Sequence, residues 1–111
     1  MRPTISFDAR ACLDVDPFEG DRDQDVLVRS DKIILPRKDH NCLICDGTAR
    51  KATWCRARSE VDRDLGMAMT FYFCTSCCEA QAASWTDQGM SLTERYSIGC
   101  RLRGELPDVA A

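Results

Sequence analysis

The sequence predicts a small α+β domain, and three features of its middle indicate this fold class. Two C-x-x-C pairs, at residues 42–45 and 74–77, have 28 residues between them, residues 46 to 73. Residues 67–73 alternate between two sets of side chains, which is the period of a β-strand. Residues 76–79 read Ser-x-x-Glu, the capping box that begins many helices. We therefore expect strands between the two cysteine pairs and a helix at the second pair.

The segment between the cysteine pairs is expected to be a β-hairpin. A Thr-Trp-Cys run favours a first strand within residues 50–58. Residues 59–66 are polar and end in glycine, which is typical of a hairpin loop, and residues 67–73 return as the second strand.

The helix at the second pair is expected to start with Ser76 as its N-cap, which places Cys77 in the first turn. It should end near Gln88, with Gly89 as a left-handed cap. Beyond it, a second Ser-x-x-Glu pattern at 91–94 predicts a short second helix. The alternation of apolar residues over 98–102 predicts an extended segment instead.

Before the first cysteine pair the sequence is less regular. Residues 1–25 are acidic and contain Pro17, so we expect an acidic arm or linker that lies outside the core or docks on a basic surface. Two β-branched runs, 26–29 and 32–35, predict a small hairpin or one bent strand that Pro36 closes.

These elements divide the chain into three parts. The acidic arm takes residues 1–25, a single metal-stabilised domain takes residues 26–106, and residues 107–111 form a frayed tail. Within the domain, the cysteine-bearing part spans residues 40–88.

Eight cysteines among 111 residues require either a disulfide scaffold or a metal site. The first eight residues reach an aspartate without an apolar signal-peptide region, and no apolar run approaches the length of a membrane span. We therefore expect a cytoplasmic protein, in which disulfides do not persist and thiolate–metal chemistry is favoured. A disulfide scaffold is the alternative.

The predicted metal ligands are the four cysteines of the two C-x-x-C pairs: Cys42, Cys45, Cys74 and Cys77. Gly47, two residues after the first pair, is expected to supply the unusual backbone angles of the tight turn there. Four thiolates with no open position are typical of a structural zinc site. An iron–sulfur cluster also accepts four thiolates and is the alternative.

The remaining thiols and the single histidine are expected to lie outside the ligand set. Cys78 is about 100° around the helix from Cys77 and aligns with Trp85, so we expect it in the core. His40, Cys55, Cys78 and Cys100 nevertheless remain possible substitutes for a ligand.

Residues 40–88 resemble a treble-clef zinc finger. Such a finger consists, in this order, of a knuckle, a β-hairpin and a helix that donates the last ligands. The layout is similar to the N-terminal zinc-binding domain of the bacterial Clp protease unfoldase. There too an aromatic-rich strand runs into a C-x-x-C pair and a helix, as residues 71–77 do here. The resemblance implies the finger fold and the four ligand positions.

An enzyme is not expected. The chain has one histidine, no phosphate-binding glycine motif and no H-E-x-x-H. HNH nucleases, which use a treble-clef core, need further histidines that this chain lacks. We expect a regulatory module that binds another protein or a second copy of itself through surplus apolar side chains: Met67, Met69, Phe71, Tyr72, Trp85 and Met90.

The alternative is a nucleic-acid-binding protein. The net charge is −3, but residues 32–58 carry seven basic residues against two acidic ones. With Trp54 available for stacking, this segment can bind a phosphate backbone or, equally, an acidic partner. The expected contacts are Arg37, Lys38, Arg50, Lys51, Arg56 and Arg58.

Overall fold

A computed structural model describes residues 2–18 and 26–104 of the protein. Eight helices and strands follow one another over these residues. They are α1 (Ala9–Leu13), β1 (Val26–Ile34), β2 (His40–Asn41), β3 (Thr48–Ala49), β4 (Cys55–Asp62), β5 (Met67–Phe73), α2 (Thr75–Asp87) and α3 (Met90–Leu102). The fold is a small α+β arrangement, as the sequence predicts.

The main sheet is antiparallel, with the strand order β1-β4-β5. The predicted hairpin is present, and its second strand has the predicted bounds, Met67–Phe73. The first strand begins at Cys55 but continues to Asp62, so the loop is only four residues long, 63 to 66. The Asp62 carboxylate accepts hydrogen bonds from the Asp64 and Leu65 amides, and Gly66 has a positive φ of 65°. This local turn chemistry allows the strands to extend further than composition indicates.

The two β-branched runs before the first cysteine pair form one strand rather than a hairpin. β1 pairs with β4 throughout, and its register shifts between Val28 and Ser30. Such a bulge bends the strand without ending it.

α2 begins two residues earlier than the Ser-x-x-Glu pattern predicts. Cys74, not Ser76, is the N-cap, and no side chain caps this helix end. Glu79 accepts a hydrogen bond from the Ser6 hydroxyl (2.6 Å) instead of completing a capping box. The helix ends at Asp87, and the next two residues, Gln88 and Gly89, both have positive φ.

α3 replaces both the short helix and the extended segment that were expected. It runs without interruption to Leu102, so the prediction of an extended segment over residues 98–102 is wrong. Three alternating apolar residues are too few to outweigh the packing of a helix against the rest of the domain. Its first amides are satisfied by Asp87, whose carboxylate accepts from the Gly89 and Ser91 nitrogens.

Much of the expected acidic arm belongs to the folded domain. Asp8 caps α1 by accepting from the Arg10 and Ala11 amides, and Cys12 is fully buried in the core. Trp85 binds this segment through its indole nitrogen, which donates to the Ala11 carbonyl (2.8 Å). The acidic composition of this segment does not indicate that its backbone carbonyls accept hydrogen bonds from side chains of the folded domain. Residues 19–25 and the expected tail at 107–111 lie outside the described residues.

The core lies where α2, the β2–β3 turn and the start of β4 meet. It consists largely of thiols, together with Ile44, Ala49, Phe73 and Leu92. Among the described helices, none has both the length and the apolar character of a membrane span.

Candidate metal centre

The first C-x-x-C pair sits on a tight turn between two short paired strands. His40 and Asn41 of β2 pair with Ala49 and Thr48 of β3. Inside the turn, the Cys42 amide donates to the Gly47 carbonyl (2.8 Å). The left-handed residue of the turn is Asp46, with φ 59°, so the backbone role predicted for Gly47 is wrong.

Gly47 is instead constrained by its close approach to a sulfur atom. A Cβ at this position would lie 3.2 Å from Cys45 Sγ, and the Gly47 amide donates to that sulfur at 3.4 Å. The Asn41 side chain donates to Asp46 (2.9 Å) and supports the left-handed residue. Glycine is therefore favoured here because a Cβ would crowd the Cys45 sulfur at this distance.

The turn docks on β5, which carries the chain into the second cysteine pair. The Leu43 amide donates to the Tyr72 carbonyl (2.9 Å), and Cys42 pairs with Tyr72 in a parallel bridge. The Cys74 amide, directly after β5, donates to Cys42 Sγ (3.3 Å). The His40 ring stacks on the Tyr72 ring, with 3.6 Å between centroids. β5 thus positions both cysteine pairs.

The four predicted ligands meet at one point: Cys42, Cys45, Cys74 and Cys77. Their sulfur atoms all lie within 4.8 Å of one another, and all four residues are buried. The sulfur atoms of Cys45 and Cys74, for example, are 3.7 Å apart. A tetrahedral ion with metal–sulfur bonds of about 2.3 Å requires sulfur–sulfur distances of about 3.8 Å. The geometry can therefore hold a metal ion. His40 is not part of this group.

Nitrogen donors surround the sulfur cluster. Besides the Gly47 and Cys74 amides, Arg95 of α3 donates from Nε to Cys77 Sγ (3.4 Å), and its Nη2 lies 4.0 Å from Cys74 Sγ. Each of the four sulfurs is therefore near an N–H group. Sulfur accepts hydrogen bonds well only as thiolate, so this surrounding suits a metal-bound tetrathiolate.

The protonation of the cluster also favours a cation at its centre. Hydrogen bonds from Cys42 and Cys77 lower the pKa of Cys74 to about 2. The same contact with Cys74 raises the pKa of Cys42 to about 12, and the hydrogen bond with Cys42 raises the pKa of Cys77 further. Among Cys42, Cys74 and Cys77, the thiolate form is thus favoured only at Cys74. Full ionisation requires a cation to compensate the charge.

The four other cysteines are not part of this cluster: Cys12, Cys55, Cys78 and Cys100. The Cys78 thiol donates to the Phe73 carbonyl (3.4 Å), and the Cys12 thiol to Gln81 Oε1 (3.4 Å). The hydrogen bond with Cys12 and burial raise the pKa of Cys78, and burial raises the pKa of Cys55 to about 11. Cys78 is a buried core thiol, as predicted. Trp85 does not join it in the core, because this indole is 61% exposed.

Two of the six predicted surface contacts, Arg56 and the half-buried Arg58, are engaged within the fold. Arg56 is fully buried, and Arg58 forms ion pairs with Asp31 (3.0 Å) and Glu60 (2.8 Å). Both side chains lie on the face of β4 that carries Phe73 and Phe71 as cross-strand neighbours. The remaining four, Arg37, Lys38, Arg50 and Lys51, are exposed. Trp54, half-buried, donates its indole N–H to the Pro3 carbonyl (2.7 Å).

An open cavity of about 310 Å³ lies beside the cluster. Cys45 and Cys74 form part of its wall, and Arg50 and Arg95 line it as well. No sequence motif indicates that Arg95, from the next helix, reaches the cluster.

Comparisons with protein-family models, with curated proteins and with solved structures find no match for this chain.

Proposed function

We propose that the protein is a small, non-enzymatic zinc-binding module in which Cys42, Cys45, Cys74 and Cys77 hold one structural Zn²⁺ as thiolates. The observation that supports this best is the convergence of four buried sulfurs within 4.8 Å. An all-thiolate donor set selects zinc or iron over magnesium and calcium. A cluster that binds each cysteine to a different iron needs sulfurs farther apart than a single ion does, which favours zinc.

The proposed role of the ion is structural. Four protein ligands leave no position for a reacting water. Structural zinc contributes about 10–16 kcal/mol of apparent binding free energy, which is comparable to the whole stability of a small domain. The order of the elements supports a treble-clef finger: the turn between β2 and β3, the β4–β5 hairpin, and α2, whose first turn carries Cys77.

Metal content and chelation test this proposal. We expect one zinc per chain by elemental analysis of the purified protein, and loss of far-ultraviolet circular dichroism after zinc is removed by a strong chelator. Two neighbouring thiols provide a matched comparison. Cys77→Ser should lose the ion, whereas Cys78→Ala should keep one zinc per chain although it is less stable. A spectrum and melting temperature unchanged by chelation would exclude a structural ion.

We further propose that the zinc-stabilised module binds a protein partner or a second copy of itself. Four apolar side chains are exposed around the far end of the sheet: Leu27, Val28, Leu65 and Met67. Leu65 is 70% exposed and Met67 55% exposed. Trp85 and Met90 are also exposed, whereas Met69, Phe71 and Tyr72 of the expected surplus are half-buried. Apolar side chains grouped on a surface commonly indicate an interface.

Sedimentation of the zinc-loaded protein tests self-association. We expect a concentration-dependent rise in mass that the double substitution Leu65→Asp and Met67→Asp abolishes. Met90→Asp, at the start of α3, is the matched control and should leave the mass unchanged. A monomer at all concentrations would restrict the proposal to another protein.

Nucleic-acid binding remains the second candidate, and one arrangement favours it. The Ala52 amide donates to the Pro36 carbonyl (3.0 Å), and the Lys51 amide donates to Asp39 (2.7 Å). These bonds join two loops that carry four exposed basic residues: Arg37, Lys38, Arg50 and Lys51. Binding to single-stranded DNA should then weaken with salt, with a slope of about −0.7 per phosphate contact. Substitution of all four by alanine should abolish binding without changing the zinc content.

A further inference from the structure

One face of α3 lies along the first cysteine turn and the sulfur cluster. Three residues spaced four apart make this contact. Arg95 donates to Cys77 Sγ, and Arg103 donates from Nη1 to the Leu43 carbonyl (3.0 Å). Between them, Gly99 is buried so close to the turn that an added Cβ would lie 1.9 Å from the Ile44 carbonyl oxygen. Residues four apart share one side of a helix, so this face is continuous.

We propose that Arg95 is a positioning residue of the metal centre, which stabilises the tetrathiolate and couples the docking of α3 to metal occupancy. The inference rests on the proposed function, because it requires an ion bound by the four cysteines.

The charge of the loaded centre supports this role. A divalent ion with four thiolates carries a net charge of −2, and burying such a charge is costly unless it is compensated. The Arg95 guanidinium is within 4.0 Å of two of the four sulfurs, Cys74 and Cys77. The donors at the other two sulfurs, Cys42 and Cys45, are neutral backbone amides. Arg95 thus brings a full positive charge directly to the ligands.

The coupling to α3 follows from reciprocity. If the contact with Arg95 strengthens metal binding, metal binding must strengthen that contact by the same factor. The Gly99 and Arg103 contacts lie on the same helix face and are made with the turn that carries Cys42 and Cys45. Removal of the ion should therefore weaken the docking of α3 on this turn.

Arg95→Met tests the inference, with Arg101→Met as its control on an exposed position of the same helix. Competition with a chromophoric chelator measures the zinc affinity of each full-length variant. Loss of a side chain that hydrogen-bonds a metal ligand typically weakens metal affinity about 10- to 100-fold. We expect a decrease of this size for Arg95→Met, a smaller decrease for Arg95→Lys, and no more than about a twofold change for the control.

A spectroscopic measurement separates this role from a merely structural one. In the cobalt-substituted protein, loss of an N–H donor makes the thiolates more electron-rich. The sulfur-to-cobalt charge-transfer band should therefore move to lower energy in Arg95→Met and stay in place in Arg101→Met. Hydrogen exchange at the α3 amides should also become faster in Arg95→Met at saturating zinc. If Arg95→Met does not fold, Arg95→Lys, which keeps the charge but lacks the Nε–H donor, serves for the same measurements.

Two results overturn different claims. Equal affinity and an unshifted band in the Arg95 and Arg101 variants, with wild-type protein binding one zinc, would refute the role of Arg95 alone. Failure of the wild-type protein to bind zinc would refute the proposed function itself.

Discussion

Substitution of Arg56 by methionine should be among the most destabilising single changes in this protein. The guanidinium of Arg56 is fully buried and binds both carboxylate oxygens of Asp31, at 2.8 and 2.6 Å. It also donates to the backbone carbonyls of Cys12 and Val15, each at 2.9 Å, and to the side chain of Gln81. One side chain thus joins the N-terminal segment, the sheet and α2.

The magnitude follows from what the substitution leaves behind. Burial lowers the pKa of Arg56, but the hydrogen bonds and charge of Asp31 outweigh burial and raise it, so the guanidinium is charged in the folded protein. Removal of one member of a buried ion pair costs about 3–5 kcal/mol. Arg58 lies 3.0 Å from the same carboxylate and partly compensates it. We therefore expect about 3 kcal/mol, a large share of the 5–15 kcal/mol that stabilises a typical domain.

Urea unfolding of the zinc-loaded protein measures this loss. Arg50→Met is the matched control, because Arg50 is exposed, and should change the free energy of unfolding by less than about 0.5 kcal/mol. Arg56→Met should still bind one zinc when folded, because the Arg56 guanidinium donates to Asp31, to Gln81 and to backbone carbonyls rather than to the four sulfurs. A loss below about 1 kcal/mol would refute the assignment of Arg56 to the interior.

Two further substitutions test how α3 is held. By helix propensity alone, Gly99→Ala should stabilise α3 by about 1 kcal/mol. The added Cβ, however, would lie 1.9 Å from the Ile44 carbonyl oxygen, and such an overlap costs about 1–3 kcal/mol or more. We expect a lower melting temperature and weaker zinc binding, and a more stable variant would contradict the close approach. Asp87→Asn tests the start of α3. The hydrogen bond with Ser91 lowers the pKa of Asp87. The stabilisation that the Asp87 carboxylate contributes is therefore present above the unfolded pKa of about 3.9 and is lost as pH falls through the folded pKa. In chemical unfolding, the variant should therefore be less stable than wild type at pH 7, and this deficit should shrink as pH falls below about 3.9. A deficit that does not change with pH would be inconsistent with a charged carboxylate at this position.

The parts of the fold that the sequence predicts are those with local signals. β5 has a strict two-residue period over Met67–Phe73, and its bounds are those expected. In each C-x-x-C pair, a tight turn or the first turn of a helix can bring both sulfurs to one ion. The β4–β5 hairpin between them brings the end of β5 back beside the start of β4, and the four sulfurs converge as predicted.

The parts that were missed depend on partners distant in sequence. Arg56 was counted as a surface charge because nothing near it indicates that Asp31, 25 residues earlier, pairs with it. The N-terminal segment has the composition of a solvated arm, yet its backbone carbonyls accept hydrogen bonds from Trp54, Arg56 and Trp85. Hydrogen bonds from side chains to the backbone of a distant segment produce no periodic pattern in the sequence.

The start of α2 explains why neighbouring cysteines have different roles. Cys74 is the N-cap: its backbone is extended, and its carbonyl accepts the first helical hydrogen bond, from the Cys78 amide (2.9 Å). Cys77 then occupies the third helical position, which faces the same side as the cap, as the partners of a capping box do. Cys78 is turned about 100° away and faces Phe73 and Cys12 instead.

In this register the sulfur cluster lies at the start of α2, in the position that a capping side chain normally occupies. Cys74 is the N-cap of α2, so the amides of the first turn and the positive end of the helix dipole lie beside the sulfurs of Cys74 and Cys77. Negative charge on Cys74 and Cys77 therefore stabilises the helix, and the helix end stabilises that charge. Under the proposed function, we therefore expect the metal site and the first turn of α2 to form together, and loss of the ion to remove the group that completes this helix end.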